Sequence, residues 1–321
     1  MSRNSNAVLI SGAGELGSRY LQGLVSCESS LDIFVHDVSQ LSLDRAAIRW
    51  MESGGHLSPH QVFFINSFDS LPKNVIVAII ATTSDIRSCV VKSISKATEV
   101  KFWILEKVLA QSEEQLSDIL SVIGEGENAW VNTPRRSSVW FKKIKSYLDN
   151  SKPVHLKVTG CSWGLACNAI HFLDLVAWIS DNQLQEIKTQ HLNKAWFPAK
   201  RSGYWEVNGD LFATFSDGST AYLSCQQGEY GFELEIRNGL DTWAIKEELG
   251  LALRSDSLLL EGRLLMQSEA TALLVENLIH DGKCELPSLI SSIKLHQVLI
   301  SSLLEHWKCA GNNLATNVPI T

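Results

Sequence analysis

The chain has 321 residues, of which 45% are hydrophobic and 20% are charged, and its formal net charge is −7. These values are typical of a soluble globular protein with ample material for a core and for two domains. The basic residues are scattered, which argues against nucleic acid or an anionic membrane surface as the main partner. The polar N-terminus lacks an export signal and no apolar run could span a bilayer, so we expect a cytoplasmic protein.

The seven cysteines are dispersed and form no C-x-x-C pair. Without an export signal, we expect reduced thiols, several of them buried. Cys and His do not cluster at the spacing of zinc ligands, so we expect no metal site.

A glycine-rich turn between a predicted strand and a predicted helix is the most informative pattern. The apolar strand Ala7–Ser11 leads into G-A-G-E-L-G at residues 12–17, and the helix Glu15–Val25 follows. Such glycines allow a tight turn, close approach of a pyrophosphate, and close packing of the helix on the strand. The helix N-terminus offers free N–H groups to the phosphate. We therefore predict a dinucleotide site contacted by Gly12, Gly14, Glu15, Leu16 and Gly17.

An acidic residue after the second predicted strand, Ile33–His36, strengthens this interpretation. Asp37 lies about 20 residues beyond the last glycine, where such folds place the carboxylate that binds the ribose hydroxyls. A carboxylate would repel a 2′-phosphate, so NAD is favoured over NADP. The alternative is an exposed acid in a turn before Ser39.

Strands and helices alternate over roughly the first 130 residues, as is typical of a doubly wound parallel sheet with helices on both faces. The further predicted strands are Val62–Ile65, Val75–Ala81, Phe102–Leu105 and Trp130–Val131, and the further helices are Leu43–Ser53, Ile86–Ala97 and Ser112–Ile123.

Polar residues follow the fourth and fifth of these strands, at the sheet edge where ligands bind in such folds. Thr82 and Thr83 follow the fourth strand, and Glu106 and Lys107 follow the fifth. All four are candidate cofactor contacts. An ammonium near a reacting hydroxyl favours its ionisation as hydride leaves, so Lys107 is also a candidate catalytic residue. The alternative is a solvated lysine in a loop.

The pattern changes after about residue 135 and becomes α+β. The predicted helices there are Ser137–Leu148, Asn168–Ile179, Ser268–Asp281 and Ser288–Lys308. The predicted strands are Val154–Gly160, Glu186–Leu192, Asp210–Phe215, Thr220–Gln226, Glu233–Arg237, Thr242–Lys246 and Ser257–Leu260. Hairpin turns between several of them indicate an antiparallel sheet. We predict a dinucleotide-binding domain at 1–133 and a second domain at 134–321, whose C-terminal helix packs back on the first.

A histidine on one predicted helix is a candidate proton acceptor. Asn168 and His171 share a helix face, and Asp174 is three residues further on. Histidine titrates near neutral pH, so His171 could take the proton released when an alcohol becomes a ketone. The alternative is a core histidine whose partner is Asp174.

Two basic pairs are candidate contacts for an anionic substrate. Arg135 and Arg136 lie at the predicted domain junction, and Lys200 and Arg201 lie in a loop that also contains Tyr204. The alternative for such pairs is surface charge or hinge salt bridges.

The order and spacing of these motifs resemble the Gfo/Idh/MocA oxidoreductases, named for glucose–fructose oxidoreductase, inositol dehydrogenase and a rhizopine catabolism protein. The resemblance covers essentially the whole chain and rests on five segments: GAGELG at 12–17, ATTSD at 81–85, ILEKVLA at 104–110, VNTPRR at 131–136 and HFLDL at 171–175. It implies a Rossmann domain followed by an α/β domain whose open, mainly antiparallel sheet supports a homodimer or homotetramer.

The resemblance also implies roles for individual residues. Lys107 resembles the lysine of the family's E-K-P motif, and His171 resembles its catalytic histidine. Asp174 resembles the acid of the H-x-x-D segment, and Arg135 or Arg136 resembles the junction arginine. Two positions depart from the family pattern. Val108 replaces the proline of E-K-P, and Cys167 stands where an acid often lies, so that Asn168 is expected to bind substrate instead.

The resemblance therefore implies an NAD-dependent oxidoreductase that transfers hydride between nicotinamide and a secondary alcohol or ketone of a sugar, polyol or sugar derivative. The junction motif resembles members from surface-polysaccharide biosynthesis. Expected substrate contacts are Asn168, Asp174, Arg135, Arg136, Arg201 and Tyr204. The alternative is a non-catalytic NAD(H)-binding sensor or assembly subunit.

Overall fold

The computed structural model describes residues 6–229 and 231–321. The chain forms two compact units, and neither is a single continuous segment. The first comprises the chain up to Leu109, then Ser117–Asn132 and Leu265–Leu289. The second comprises Ala110–Leu116, Thr133–Leu264 and Ile290–Thr321. The division into continuous domains at 1–133 and 134–321 stays a prediction.

The first unit contains a six-stranded sheet in which every neighbouring pair is parallel. Its strands are β1 (Asn6–Ser11), β2 (Leu31–His36), β3 (Gln61–Ile65), β4 (Asn74–Ile80), β5 (Glu99–Leu105) and β6 (Ala129–Val131). Their order is β3-β2-β1-β4-β5-β6. This is the order of dinucleotide-binding sheets, and it places a ligand crevice where the order reverses, between β1 and β4. The predicted Rossmann sheet is confirmed.

The helices of the described residues are α1 (Glu15–Leu24), α2 (Gln40–Glu52), α3 (Arg87–Ala97), α4 (Glu113–Ile123), α5 (Val139–Lys145), α6 (Leu165–Ser180), α7 (Gln267–Asp281) and α8 (Leu289–Cys309). In the first unit, α7 packs against α1 although more than 200 residues separate them in sequence. None of these described helices combines the length and apolarity needed to cross a membrane.

The core of the first unit surrounds the central strands. The consecutive residues 8–10 of β1 and 77–80 of β4 are all fully buried, so side chains on both faces of each strand are covered. Full burial of a Val, Leu or Ile side chain stabilises the folded state by about 1.5–3 kcal/mol relative to leaving that side chain exposed. The continuously apolar fourth strand is therefore buried on both faces, as its sequence predicts.

The second unit contains an eight-stranded sheet in the order β14-β13-β12-β11-β7-β10-β9-β8. Its strands are β7 (Val154–Cys161), β8 (Leu184–Pro198), β9 (Trp205–Phe215), β10 (Thr220–Gln226), β11 (Glu233–Asn238), β12 (Asp241–Lys246), β13 (Leu251–Arg254) and β14 (Leu259–Glu261). Only the pairing of β7 with β10 is parallel among these described strands. Helix α6 packs on β7, β9 and β10. The predicted mainly antiparallel sheet is confirmed.

Some predicted bounds are wrong, and each error has a local cause. The strand predicted at Ser257–Leu260 starts in a turn, where Ser257 has a φ of 71°. The sequence analysis missed β13, which pairs with β14 across this turn. The helix predicted at Ser137–Leu148 begins two residues later, at Val139, because residues 134–137 form a 3₁₀ turn that begins at Pro134. Helix α5 then ends at Lys145.

Candidate functional site

The glycine loop of the first unit is packed against the end of β4. Gly12 has a φ of +97°, and a Cβ there would lie 2.8 Å from the backbone of Ala81 and Thr82. A Cβ at Gly17 would lie 1.7 Å from the carbonyl oxygen of Gly12. Both positions therefore require glycine, one for the turn and the other for the approach of α1 to the loop.

Open space lies in front of Gly14, the second glycine of this loop. Gly14 is exposed and precedes α1, and a Cβ there would meet no atom within 4 Å. The first N–H groups of α1, which begins directly after Gly14, have no partners within the helix. A phosphate fits such a position at a helix N-terminus.

The adjoining residue Glu15 lies beside a cleft of about 350 Å³ between α1 and α2. Its exposed carboxylate pairs with Arg49 at 3.1 Å and with Arg19 at 3.4 Å. The hydrogen bond from Arg49 is the main reason why the pKa of Glu15 is lowered. Leu16, by contrast, packs on the hydrophobic core.

Asp37 connects the glycine loop to the end of β2. One carboxylate oxygen accepts from the Ala13 N–H at 2.8 Å, and the other accepts from the Ser39 N–H at 2.8 Å. Each carboxylate oxygen can accept a further bond, so the half-buried Asp37 retains acceptors for two ribose hydroxyls. The same bonds fix the loop geometry without a ligand.

The loop after β4 offers a polar atom for a ligand. Thr82 and Thr83 are half-buried, and the hydroxyl oxygen of Thr82 is buried with no hydrogen-bond partner among the described residues. Buried hydroxyls are usually bonded. The glycine loop, Asp37 and Thr82 thus fit the phosphate, ribose and nicotinamide ends of a dinucleotide.

Glu106 and Lys107 directly follow β5, and their surroundings differ. Lys107 is half-buried, and the Lys107–Val108 peptide bond is cis. Glu106 is 4% exposed and accepts from the Tyr20 hydroxyl at 2.5 Å and from the Asn132 amide at 2.7 Å. That amide also donates to Gln267 of α7 at 2.7 Å. The role of Glu106 toward a cofactor stays a prediction, since its known bonds are to other side chains of this unit.

The sequence analysis missed Tyr20 and Asn132 because their polar partners are distant in sequence. Burial raises the pKa of Tyr20 well above its usual range, so its hydroxyl stays protonated and donates to Glu106. The analysis also missed Arg87, which is 1% exposed and donates to backbone carbonyls of Thr82, Val108 and Leu109. A signal was present, since Arg87 lies on the buried face of α3 with Val91 and Ile94.

In the second unit, a buried carboxylate caps the helix that carries His171. Glu206 of β9 is 6% exposed and accepts from the N–H groups of Ala166 at 2.8 Å and of Cys167 at 3.3 Å. This cap explains why α6 begins at Leu165 and not at Asn168 as predicted, because it satisfies N–H groups that helix starts leave without partners. Sequence reasoning missed Glu206, which lies on another element.

Asn168 and His171 lie on α6, and both are half-buried. The Asn168 amide donates to the carbonyl oxygen of Trp163 at 2.7 Å, which fixes the side chain near the helix start. Their roles in substrate binding and proton transfer stay predictions.

Asp174 lies on the same helix and joins the junction segment within the second unit. Its carboxylate accepts from the Thr133 hydroxyl at 2.9 Å and forms a bidentate pair with Arg136. Burial raises the pKa of Asp174, and the Arg136 guanidinium opposes that shift. The structure therefore brings together two predicted substrate contacts, Asp174 and Arg136, as an ion pair.

The other predicted substrate contacts have separate surroundings. Arg135 donates to both oxygens of Glu247 at 2.8 Å, and its guanidinium lies 4.5 Å from the centre of the Phe172 ring. Arg201 is exposed in the turn between β8 and β9, where the Tyr204 N–H donates to its carbonyl oxygen at 3.3 Å. Contact of these residues with a substrate stays a prediction.

No protein-family model matches the chain, and no curated protein sequence does. Solved structures do match it over nearly its whole length. A UDP-N-acetylglucosamine 3-dehydrogenase from Acidithiobacillus ferrooxidans is 15% identical with a TM-score of 0.68, over 94% of this chain and 97% of that one. A myo-inositol dehydrogenase from Lactobacillus casei, in complex with NAD(H) and myo-inositol, is 15% identical with a TM-score of 0.66, over 95% of each chain.

A third structure is a scyllo-inositol dehydrogenase from Lactobacillus casei with NAD(H) and scyllo-inositol. It is 16% identical with a TM-score of 0.65, over 94% of this chain and 97% of that one. At this level of identity the likeness establishes the fold. The chain therefore has the fold of the Gfo/Idh/MocA oxidoreductases, which confirms at the level of architecture the resemblance seen in its motifs.

Proposed function

We propose that the protein is an NAD-dependent oxidoreductase that acts on a secondary alcohol or ketone of a sugar, polyol or sugar derivative. One observation carries the proposal. The open position in front of Gly14 and the free acceptors of Asp37 lie on the sheet edge that also carries Lys107. Three solved structures with this fold are described as sugar-nucleotide or inositol dehydrogenases.

Residues of the first unit would hold the cofactor. The N–H groups at the start of α1 would bind the pyrophosphate, and Asp37 would accept from the ribose hydroxyls. The negative charge of Asp37 opposes a 2′-phosphate, which favours NAD over NADP. Thr82, Thr83, Glu106 and Lys107 are proposed near the nicotinamide end. Bound nicotinamide would supply the hydride acceptor in oxidation and the hydride donor in reduction.

His171 would exchange the substrate proton. In oxidation, the substrate carbon loses a hydride while a ring nitrogen of His171 accepts the proton of the hydroxyl group. The Lys107 ammonium would stabilise the negative charge that develops on the same oxygen. In reduction, His171 would return the proton to that oxygen. Asn168 would bind the substrate.

The substrate class is supported by charge and by the neighbouring structures. Lys200 and Arg201 are exposed in one turn, which suits an anionic group such as that of an acidic or nucleotide-linked sugar. Arg135 and Arg136 are already paired with carboxylates in the second unit. We therefore propose that their main role is to stabilise the structure and that substrate binding is secondary. A role in surface-polysaccharide sugar synthesis is a further part of this proposal.

A turnover assay with variants tests the proposal. Purified protein would be assayed for NAD⁺ reduction with myo-inositol, scyllo-inositol and UDP-N-acetylglucosamine. Replacing a general base typically lowers kcat by about 10²–10⁴, so we expect His171→Asn to show a loss of that size with unchanged NADH affinity. Lys107→Met should lower kcat by about 10²–10³. Full turnover by His171→Asn would contradict its catalytic role.

The non-catalytic alternative predicts a different result. Val108 and Cys167, which depart from the family pattern, favour it. A sensor or assembly subunit would bind NADH with the same residues of the first unit. It would reduce NAD⁺ with none of these substrates.

We also propose that the protein forms a homodimer or homotetramer through the open sheet of the second unit. Side chains alternate between buried and exposed along β11 and β12, and β13 also carries an exposed side chain, so one face of the sheet is exposed at these strands. Light scattering during gel filtration measures the mass directly, and a monomer at all concentrations would contradict the proposal.

A further inference from the structure

A buried arginine links the two loops that follow β4 and β5. One terminal nitrogen of Arg87 donates to the carbonyl oxygen of Val108 and, at 3.1 Å, to that of Leu109. The other terminal nitrogen donates to the carbonyl oxygen of Thr82. All these residues belong to the first unit. A single guanidinium therefore joins a loop that begins with Lys107 to a loop that contains Thr82 and Thr83.

The buried position of Arg87 indicates that its hydrogen bonds hold the two loops in a defined geometry. The residue is 1% exposed, and it shares the buried face of α3 with Val91 and Ile94. An apolar side chain would pack at such a position without desolvating a charge, whereas a buried cation is costly unless it is well hydrogen-bonded. The planar guanidinium holds its donors in a fixed fork, so it constrains the directions of the carbonyl groups that it binds.

The carbonyl groups that Arg87 binds lie close in sequence to Lys107 and Thr83, two proposed cofactor contacts. Val108 directly follows Lys107, and Thr82 directly precedes Thr83. The Thr82 carbonyl lies in the peptide that joins Thr82 to Thr83, so fixing it constrains the backbone from which the Thr83 side chain extends. The Val108 and Leu109 carbonyls lie in the next two peptides after the Lys107–Val108 bond, so fixing them restrains the segment that directly follows Lys107. The glycine loop depends on other bonds, since the Gly12 N–H donates to the His36 carbonyl oxygen at 2.8 Å and Ala13 donates to Asp37.

We propose that Arg87 is a positioning residue that couples these two loops and sets their geometry for the nicotinamide half of the dinucleotide. The inference rests on the proposed function, because it assigns the loops to that half of the cofactor. It predicts that the adenosine half, which the glycine loop and Asp37 would hold, is insensitive to Arg87.

Two ligands separate these halves. NADH contains both, whereas ADP-ribose lacks the nicotinamide. The variants are Arg87→Met, which removes the charge and the fork, and Arg87→Lys, which keeps the charge alone. The control is Lys92→Met on the same helix, where the exposed Lys92 pairs with Asp118 at 2.7 Å. Each protein would be titrated with both ligands by calorimetry.

We expect Arg87→Met to weaken NADH binding by about tenfold or more and ADP-ribose binding by less than about twofold. Arg87→Lys should have an intermediate effect on NADH, and Lys92→Met should change neither affinity. A general loss of stability would weaken the binding of NADH and of ADP-ribose alike, so equal losses of affinity for the two ligands would overturn the proposal. An unchanged NADH affinity in Arg87→Met would also overturn it.

Amide hydrogen exchange of the ligand-free protein provides a readout that does not depend on the proposed function. In Arg87→Met, segments 81–86 and 105–109 should both exchange faster, while segment 12–18 keeps its wild-type rate. If the wild type binds neither ligand, the proposed function fails and exchange alone decides whether the loops are coupled. If Arg87→Met does not fold, Arg87→Lys supplies the comparison. Wild-type exchange in both loops would refute the coupling.

Discussion

At the scale of single residues, the candidate site depends on buried polar side chains whose partners are far away in sequence. The Glu106 carboxylate is held by Tyr20 from α1 and by Asn132 after β6, and Asn132 is held in turn by Gln267. Burial strengthens such bonds and makes an unpaired member costly. The network therefore fixes the residue that immediately precedes Lys107.

Replacing Tyr20 by Phe tests this network. The change keeps the ring and removes the hydroxyl that donates to Glu106 and accepts from Asn132. Leaving a buried charged acceptor with one donor fewer should lower the free energy of unfolding by about 1–3 kcal/mol. Urea denaturation measures the loss. Tyr147→Phe is the control, because Tyr147 is 36% exposed, and it should be nearly neutral. An equal effect of both changes would contradict the account.

Sequence reasoning at this scale reaches residues whose proposed role depends on local spacing. Gly12, Gly14, Gly17 and Asp37 follow from one strand–turn–helix pattern and the distance to the next strand end. Arg87 and Glu206 could not be identified in this way, because their partners become neighbours only when the strands and helices pack. A charged residue on an otherwise apolar helix face was the only local sign of Arg87.

At the scale of elements, apolar runs placed most strands and helices, and the errors lie at their ends. Helix α2 begins three residues before the predicted Leu43, because the Ser39 hydroxyl accepts from the Ser42 N–H at 3.3 Å. Helix α6 begins early because Glu206 caps it from β9. A cap within three residues could be predicted from sequence, but one supplied by a strand about 40 residues later could not.

Gly14 and Gly17 lie in the same turn, and replacing each by alanine distinguishes an effect on packing from an effect on ligand binding. In Gly17→Ala, the new Cβ would lie 1.7 Å from a backbone oxygen, so α1 must shift from the loop. We expect a loss of stability of about 2 kcal/mol or more together with weaker NADH binding. In Gly14→Ala, the Cβ meets open space and φ is already −64°, so stability should be retained.

Gly14→Ala should nevertheless bind NADH more weakly than the wild type, because its new methyl group occupies the space that the pyrophosphate would use. Thermal denaturation and NADH titration of both variants measure the two effects. If Gly14→Ala bound NADH as tightly as the wild type, the pyrophosphate would not lie at this turn.

At the scale of the whole molecule, four buried or half-buried histidines make stability depend on pH. Burial lowers the pKa of His36 and His60 in the first unit and of His155 and His306 in the second. The unfolded chain takes up these protons near the ordinary pKa of 6.5, and the native chain takes them up only at lower pH. The unfolded state thus binds more protons below about pH 6.5, and stability falls as the pH decreases.

His306 supplies a specific test. The Trp196 indole N–H donates to Nδ1 of His306 at 3.0 Å, which requires that nitrogen to be unprotonated. The wild type should show a lower urea midpoint at about pH 5.5 than at about pH 7.5. His306→Gln keeps an acceptor and cannot be protonated there, so its midpoint should vary less. An identical pH dependence in both proteins would contradict this assignment.

The central claim is that the first unit binds NAD through Asp37 and the glycine loop. Fluorescence titration with NADH and NADPH, for the wild type and for Asp37→Ala, tests it most directly. The account predicts tight NADH binding by the wild type, weaker NADPH binding, and a loss of about tenfold or more in NADH affinity in the variant. If the wild type bound neither cofactor, or if Asp37→Ala bound NADH unchanged, the proposed cofactor site would be wrong.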